Sequence, residues 1–385
     1  MNILVVVPWD YALGGVVSVA GHMARYLAGQ GHQIRFFTPG ESNRLQRRTT
    51  TWDFQGYDLA LRSVEGGGGS LVDVAKFTAL LPSSLGQLIA MVRGERIDLI
   101  NIHYPLAENV HFGLIRKVLG IPLVTVIHGA DLFPGGAAET HYPWSLRFLL
   151  NASDRIVTPS ESLRRDVAAV LPALAPRTLA IHNSVDISEF DWNRRAGDPG
   201  GRRTILCIAA HNEKKALDVL LKAFAELRRS EQGLRLQLVG DGPLRPDLEA
   251  LAAQLELGDD VQFLGRQDRE QIAKLLGACS AFVVPSRAEP FGIVVLEGMM
   301  AEKPVVASAV GGIVEIVEDG RNGLLVPPDD PAALAAGLRR VLTDPALAAT
   351  LGKAGRETVL RRFSRDRMGG DYSRLFTQLV SDHAS

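Results

Sequence analysis

Short apolar runs alternate with longer stretches of helical periodicity along the whole 385-residue chain. In the first half the runs fall at 3–7, 34–38, 99–102, 123–127, 155–159 and 178–181. In the second they fall at 204–209, 234–239, 261–264, 281–284, 305–307 and 323–326. The intervals carry helical spacing: between 16 and 29, Val16, Val19, Ala20, Met23 and Leu27 return to one face. Strands alternating with helices predict parallel sheets wrapped by helices.

A chain of this length exceeds the usual single domain. Periodicity lapses between 186 and 203, where Asp198-Pro199-Gly200-Gly201 interrupts it. The expected architecture is therefore α/β, with two Rossmann-like doubly wound domains, 1–190 and 191–363. A last helix, 364–385, has Ser364 as its N-cap. Gly66-Gly67-Gly68-Gly69 reads as a flexible loop inside the first domain. Ligands of doubly wound sheets bind beyond the carboxyl ends of the strands, which places the expected site in a cleft between the domains.

Composition narrows the function. Hydrophobic residues at 46% and charged residues at 22% describe an ordinary globular chain, and with a net charge of −1 nothing suggests a nucleic-acid binder held by phosphate contacts. The N-terminal segment has no basic leader, and no uninterrupted apolar run reaches membrane-spanning length, so a cytoplasmic protein is expected. Cys207 and Cys279 read as free core thiols, and the nine histidines show no metal-ligand spacing. No P-loop occurs, and Gly240-Asp241-Gly242-Pro243 places Arg245 where a dinucleotide fingerprint needs its third glycine. A dehydrogenase and a nucleotide hydrolase are thereby disfavoured.

The stretch from Ala281 to Val306 is the most informative. An apolar strand ends at Pro285-Ser286, Glu289-Pro290-Phe291-Gly292 follows, and a helix is expected from about Ile293 to Glu302. Pro290 suits a helix entry, and Gly292 permits close backbone approach. The first helical N–H groups, near Ile293 and Val294, make an anion site. Glu289 before the helix and Glu297 inside it are carboxylates suited to sugar hydroxyls. Elsewhere, Gly14-Gly15 precedes the first helix, where close approach to a phosphate and a plain structural turn are both open readings. His128 stands at the end of a strand before Gly129, as a site residue or as a histidine bonded to local backbone.

These residues resemble the signature of the retaining nucleotide-sugar glycosyltransferases of the GT-B fold, and most closely glycosyltransferase family four, the group one transferases. Two glutamates eight apart around Phe291-Gly292 carry the resemblance, with Lys303-Pro304-Val305-Val306 and the block from Val310 to Pro328. It implies transfer of a sugar from a nucleoside-diphosphate sugar to a glycan or lipid-linked acceptor, with no metal or other cofactor. It also implies that the last helix crosses back to the first domain. By the same resemblance His128 and Glu289 are catalytic, and with Phe291 and Gly292 hold the donor sugar. Gly15, Lys215, Ile293 and Val294 take the diphosphate; Glu297, Arg266 and Gln267 take the nucleoside. Ile181-His182-Asn183-Ser184-Val185-Asp186 resembles a family turn near the hinge.

The chain departs from that family where an arginine and two glycines are usual, at Ala210, Ala209 and Ala216. Lys215 remains; either Lys214 or His211 compensates for the lost arginine, or binding is weaker, or activity is lost. Arg44, Arg47, Arg48, Arg93, Arg96, Arg116 and Lys117, with Trp144, Phe148 and Leu149, suggest a membrane-facing surface for a lipid-linked acceptor. Two alternatives stay open: an epimerase or phosphorylase on the same fold, and a nucleotide-sugar binding protein that has lost catalysis.

Overall fold

The computed structural model describes residues 1–8, 15–64, 71–133, 142–185 and 201–384. Gly14, the glycine run at 66–69 and residues 186–200 of the expected linker lie outside the described residues. The chain forms two compact units, Met1–Asn183 with Arg365–Ser385, and Ser184–Ser364.

The first unit is built on β1 (Asn2–Val6), β2 (Gln33–Pro39), β3 (Gln46–Thr49), β4 (Gln55–Leu59), β5 (Leu99–His103), β6 (Leu123–Val126), β7 (Arg155–Thr158) and β8 (Thr178–Ala180). They lie in the order β3-β4-β2-β1-β5-β6-β7-β8, and every pairing is parallel except β3 with β4. The apolar runs account for the central strands, which are buried on both faces as parallel strands must be. Sequence patterning missed β3 and β4 because their strand character is masked by polar residues. Gln46-Arg47-Arg48-Thr49 is an edge strand, where charge protects exposed backbone groups, and Arg48 pairs with Asp58 across to β4 at 3.5 Å.

The helix Leu71–Gly94 carries Pro82 in its interior and leaves Leu71 and Val72 exposed. Among the described residues it alone is long and apolar enough to cross a membrane by length and composition. The last helix, Arg365–Ala384, belongs to the first unit, with Ser364 immediately before it. Its Gly369 meets Tyr26 of the helix Gly15–Gly29 so closely that a Cβ there would lie 2.2 Å from the ring. Tyr372 and Phe376 on the same helix are fully buried.

The second unit comprises β9 (Arg203–Ile208), β10 (Leu234–Val239), β11 (Val261–Gly265), β12 (Ala281–Val284), β13 (Val305–Ser308) and β14 (Leu324–Val326). All pairings are parallel, in the order β11-β10-β9-β12-β13-β14. The chain winds outward from β9 in one direction and then from β12 in the other, so the order reverses between these two strands. At such a reversal the following connections go to opposite faces and open a crevice at the strands' carboxyl ends. Cys207 and Cys279 are free and buried, and burial pushes both thiols up to about 12.

After β12 comes the helix Ile293–Met300, which buries Val295, Leu296, Met299 and Met300. Burying each such side chain contributes about 1.5–3 kcal/mol. The close seat depends on Gly298, where a Cβ would lie 2.4 Å from the fully buried ring of Phe282 on β12. Gly298→Ala must displace that ring or the helix, at a cost of about 1–3 kcal/mol. A denaturant titration should show a lowered midpoint with an unchanged slope; an unchanged midpoint would mean that the helix is not seated on Phe282.

Candidate active site

The reversal between β9 and β12 brings two loops together within the second unit. The loop after β9 runs through Ala210, His211 and a short 3-10 turn, Glu213–Lys215, to Ala216, which caps the helix Leu217–Ser230. The loop after β12 runs from Pro285 to Gly292. Lys215 Nζ donates to Glu289 Oε2 at 2.5 Å, with side chains only 23% and 10% exposed. Ser286 Oγ donates to the same oxygen at 3.4 Å.

Arg287 ties the two loops together. Its guanidinium donates to both carboxylate oxygens of Asp218, at 2.9 and 2.8 Å, to the carbonyl of Glu213 at 2.9 Å and to Asp329 at 2.5 Å. Its backbone N–H donates to the carbonyl of Lys214 at 2.7 Å. A planar guanidinium holds a carboxylate with two parallel bonds, so Lys215 is carried on a rigid support.

Glycines allow the close packing around this pair. A Cβ on Gly311 would lie 2.0 Å from the carbonyl oxygen of Glu289, and one on Gly312 would lie 2.5 Å from the Cα of Phe291. The N–H of Gly312 donates to the Glu289 carbonyl at 2.9 Å. Gly292 takes φ 110°, a conformation L side chains rarely adopt, and starts the helix Ile293–Met300. The N–H groups of Ile293 and Val294 fall in the first helical turn, where no intrahelical carbonyl stands behind them. Phe291 is buried and stacks edge-on to Phe363 at 5.9 Å.

Other candidates are placed differently. Gly240 and Gly242 serve packing: added Cβ atoms would lie 2.0 Å from the Ala209 carbonyl oxygen and 2.5 Å from that of His211. His211 is fully buried, with its ring edge-on to Phe263 at 6.1 Å, and so is not a solvent-facing replacement for an arginine. Ala210 is exposed. Arg266 is exposed directly after Gly265, whereas Gln267 folds back to donate to the Leu264 carbonyl at 2.6 Å. Glu297 lies within its helix and is half-buried. Ala216, at a usual glycine position, is fully buried with φ 49° and ψ 40°.

In the first unit Gly15 is the exposed first residue of its helix. His128 stands two residues beyond β6. Asp131 stabilises this turn by accepting the backbone N–H groups of His128 at 2.8 Å, Gly129 at 2.7 Å and Leu132 at 3.2 Å. Burial outweighs those bonds and raises Asp131 to about 6, and burial lowers His128 to about 3. His128 Nε2 lies 3.2 Å from Nδ1 of His103, the last residue of β5. Of the surface expected to face a membrane, Leu149 is fully buried in the core, which removes it from that role. Arg116 is bonded to Asp154 at 2.7 and 2.8 Å, while Trp144 is 55% exposed and stacks on Phe148.

Sequence reasoning overlooked Arg287, Asp218, Asp131, Asn101 and His103. The spacing His128-Gly129-Ala130-Asp131 signals a short carboxylate cap of a turn. A polar Asn101 and His103 inside an apolar strand are the kind of buried groups that need partners.

Two doubly wound units, the second with a lysine–carboxylate pair and a helix start at its switch point, define an α/β protein of the twin Rossmann-like class. Residues 13–189 match the family model Glycosyltransferase Family 4, and residues 188–358 match Glycosyl transferases group 1. An uncharacterized glycosyltransferase of Methanocaldococcus jannaschii is 30% identical over 290 residues, 75% of this chain and 78% of the relative. N-acetyl-alpha-D-glucosaminyl L-malate synthase of Bacillus anthracis is 25% identical over 393 residues, 96% of each. Among solved structures, sucrose-phosphate synthase from Thermosynechococcus elongatus is similar with a TM-score of 0.78 and 24% identity, over 99% of this chain and all (100%) of that one. Anabaena Alr3699/HepE, solved with UDP, gives 0.76 at 20% identity over 98% and 100%. These structures have the GT-B fold, and this chain shares it. The chain belongs to the group 1, family 4 glycosyltransferases, and its activity is glycosyl transfer.

Two predictions follow from local geometry. A left-handed backbone costs an L side chain roughly 1–2 kcal/mol, part of which glycine returns as unfolded-state freedom. Ala216→Gly should therefore raise stability by about 1 kcal/mol in a denaturant titration; a loss would show that the methyl group's packing outweighs the strain. The second concerns acidification. Because His128 titrates near 3 when folded but near 6.5 when unfolded, the unfolded chain binds more protons between those values. Acid thus favours unfolding through this group, and wild type should lose more Tm between about pH 7.5 and about pH 5 than His128→Ala does. Parallel curves would remove the burial argument.

Proposed function

We propose that the protein moves a sugar from a nucleoside-diphosphate sugar to a hydroxyl of a glycan or lipid-linked acceptor, retaining the configuration at the anomeric carbon, in glycan, polysaccharide or glycolipid synthesis. The observation that carries this reading is the Lys215–Glu289 pair beside the start of the helix Ile293–Met300, at the switch point of the second sheet. The helix N-terminus and Lys215 supply positive charge to the diphosphate, so no metal is needed. Anabaena Alr3699/HepE, solved in complexes with UDP and with UDP-glucose, supports a nucleotide-sugar donor.

In this reading Glu289 and the backbone at Phe291 and Gly292 hold the sugar, and Gly15 adds to the diphosphate site. Glu297 accepts the ribose hydroxyls, and the chain at Arg266 and Gln267 borders the base. His128 stabilises positive charge developing on the transferred sugar. The bond from the anomeric carbon to the diphosphate breaks, and the bond to the acceptor oxygen forms on the same face. The acceptor's proton passes to the departing phosphate oxygen. Peripheral membrane contact, for a lipid-linked acceptor, is assigned to the exposed Trp144 and to the exposed apolar start of the helix Leu71–Gly94.

The test joins binding to turnover. A thermal-shift screen of UDP-, GDP- and ADP-sugars selects the donor, since a tight ligand raises the Tm by mass action. Loss of a charged hydrogen bond is worth about 1.5–3 kcal/mol, so Lys215→Ala should weaken the nucleoside diphosphate by roughly tenfold or more, and Lys214→Ala by much less. Transfer with an α-linked donor should give an α-linked product by proton NMR. Equal nucleotide affinity in wild type and Lys215→Ala would remove the diphosphate assignment, and an inverted product would remove retention.

A further inference from the structure

Asn101, His103 and His128 form a hydrogen-bonded line across two neighbouring strands of the first unit. β5 and β6 lie side by side with His103 opposite Val126, and His128 follows two residues later. Asn101 Nδ2 donates to the carbonyl of Val124 at 3.2 Å. That bond orients the amide so that Oδ1 lies 2.9 Å from Nε2 of His103. An amide oxygen only accepts, so His103 carries a proton on Nε2. His103 is fully buried, and burial, followed by the effect of His128, holds it well below the ordinary histidine value. It is therefore neutral, with a bare lone pair on Nδ1.

That lone pair faces Nε2 of His128 at 3.2 Å, so His128 must be the donor of this bond. His128 is itself held neutral by burial. Its one proton is thus on Nε2, and its Nδ1 is left as an acceptor. Asp131 instead holds the backbone of this turn, its oxygens accepting the N–H groups of His128, Gly129 and Leu132. The ring of Tyr372, on the last helix, backs His103 with centroids 6.3 Å apart. Its fully buried hydroxyl has no hydrogen-bond partner among the described residues.

We propose that His103, oriented by Asn101, is a positioning residue that locks His128 in its neutral Nε2–H tautomer, so that Nδ1 of His128 accepts a hydrogen bond from a hydroxyl of the transferred sugar. The inference rests on the role given to His128 above. The tautomer matters because an N–H directed at a centre gaining positive charge opposes that charge, whereas a lone pair favours it. It also selects the ligand group: a bare nitrogen accepts a hydroxyl donor and offers nothing to a carbonyl.

The test reads the tautomer directly, in the full chain with ¹⁵N-labelled histidine. Long-range proton–nitrogen correlations should show both His103 and His128 protonated on Nε2 alone. In His103→Phe, which keeps a ring and removes both bonds, His128 should become a mixture of tautomers. Its kcat should fall roughly tenfold or more while the donor KM changes little, the pattern of an interaction made in the transition state. His103→Gln, with an amide acceptor and donor, should recover part of that loss, and it serves should the phenylalanine variant fail to fold. A wild-type His128 protonated on Nδ1 overturns the proposal outright. So does an unaltered His128 tautomer in His103→Phe. Undiminished kcat in His128→Ala, with the Nε2–H tautomer present in wild type, instead removes His128's role at the sugar and leaves the hydrogen-bond line standing.

Discussion

A parallel sheet whose winding reverses cannot close the gap at the reversal, and the second unit is organised around that constraint. The chain leaves β9 toward one face and β12 toward the other, so the loops after them border a crevice. Here the gap is bridged by charge. Lys215 from one loop meets Glu289 from the other, and Arg287 locks both loops through Asp218 and the backbone of residues 213 and 214. None of these contacts is available unless the backbone comes close, which is why Gly311 and Gly312 lie against residues 289–291 where any Cβ would collide. Packing thus sets the electrostatics.

The charge balance of this centre bears on Ala210, which stands where the family usually has an arginine. Arg287 is fully engaged by Asp218 and Asp329, so it does not stand in for the arginine usual in the family. His211 is buried against Phe263. What remains mobile in electrostatic terms is Lys215, whose charge is balanced by a carboxylate that can also accept hydroxyls. In the proposed reaction a diphosphate beside the helix start would share that lysine, and Glu289 would turn its acceptor capacity to the sugar. In that exchange Glu289 would give up part of its counter-charge, so hydroxyl donors of the sugar and Ser286 would have to satisfy it, because a carboxylate left buried and unpaired is costly.

The readability of the fold followed burial. Strands buried on both faces are continuous apolar runs, so β1, β5, β9 and β12 could be located within a residue or two. β3 lies at the edge, where arginine and glutamine serve solvation, and β4 beside it buries Tyr57 and Leu59 in a run of only five residues broken by Gly56 and Asp58. The same division applies at the site. Glu289 and the helix start were visible because Pro290 and Gly292 punctuate the chain locally. Arg287 was not, because Asp218 and Asp329 lie 69 and 42 residues away, and only the sheet order joins them. His103 and Asn101 were in plain view as polar residues in an apolar strand, yet their partner comes from the next strand, 25 residues on.

The polar clusters at the strand ends of the two units differ, and the proposed transfer would give each a use. In the second, the partly exposed ions Lys215, Glu289, Arg287 and Asp218 are gathered and paired, the surroundings that the proposed diphosphate would need. At the ends of β5 and β6 in the first, a histidine pair is kept uncharged: burial lowers His103 and His128, while Asp131 beside them accepts backbone N–H groups. In the proposed reaction a cationic histidine beside the sugar would repel it as it becomes positive. Burial of the histidine pair removes that repulsion without a counter-charge, and a hydrogen-bonded asparagine then suffices to decide which nitrogen keeps the proton. A neutral device of this kind can act only if it is rigid, since its effect comes from a dipole and not from a net charge. That is a physical reason for its placement at the ends of two central strands, with Tyr372 of the last helix packed beside it.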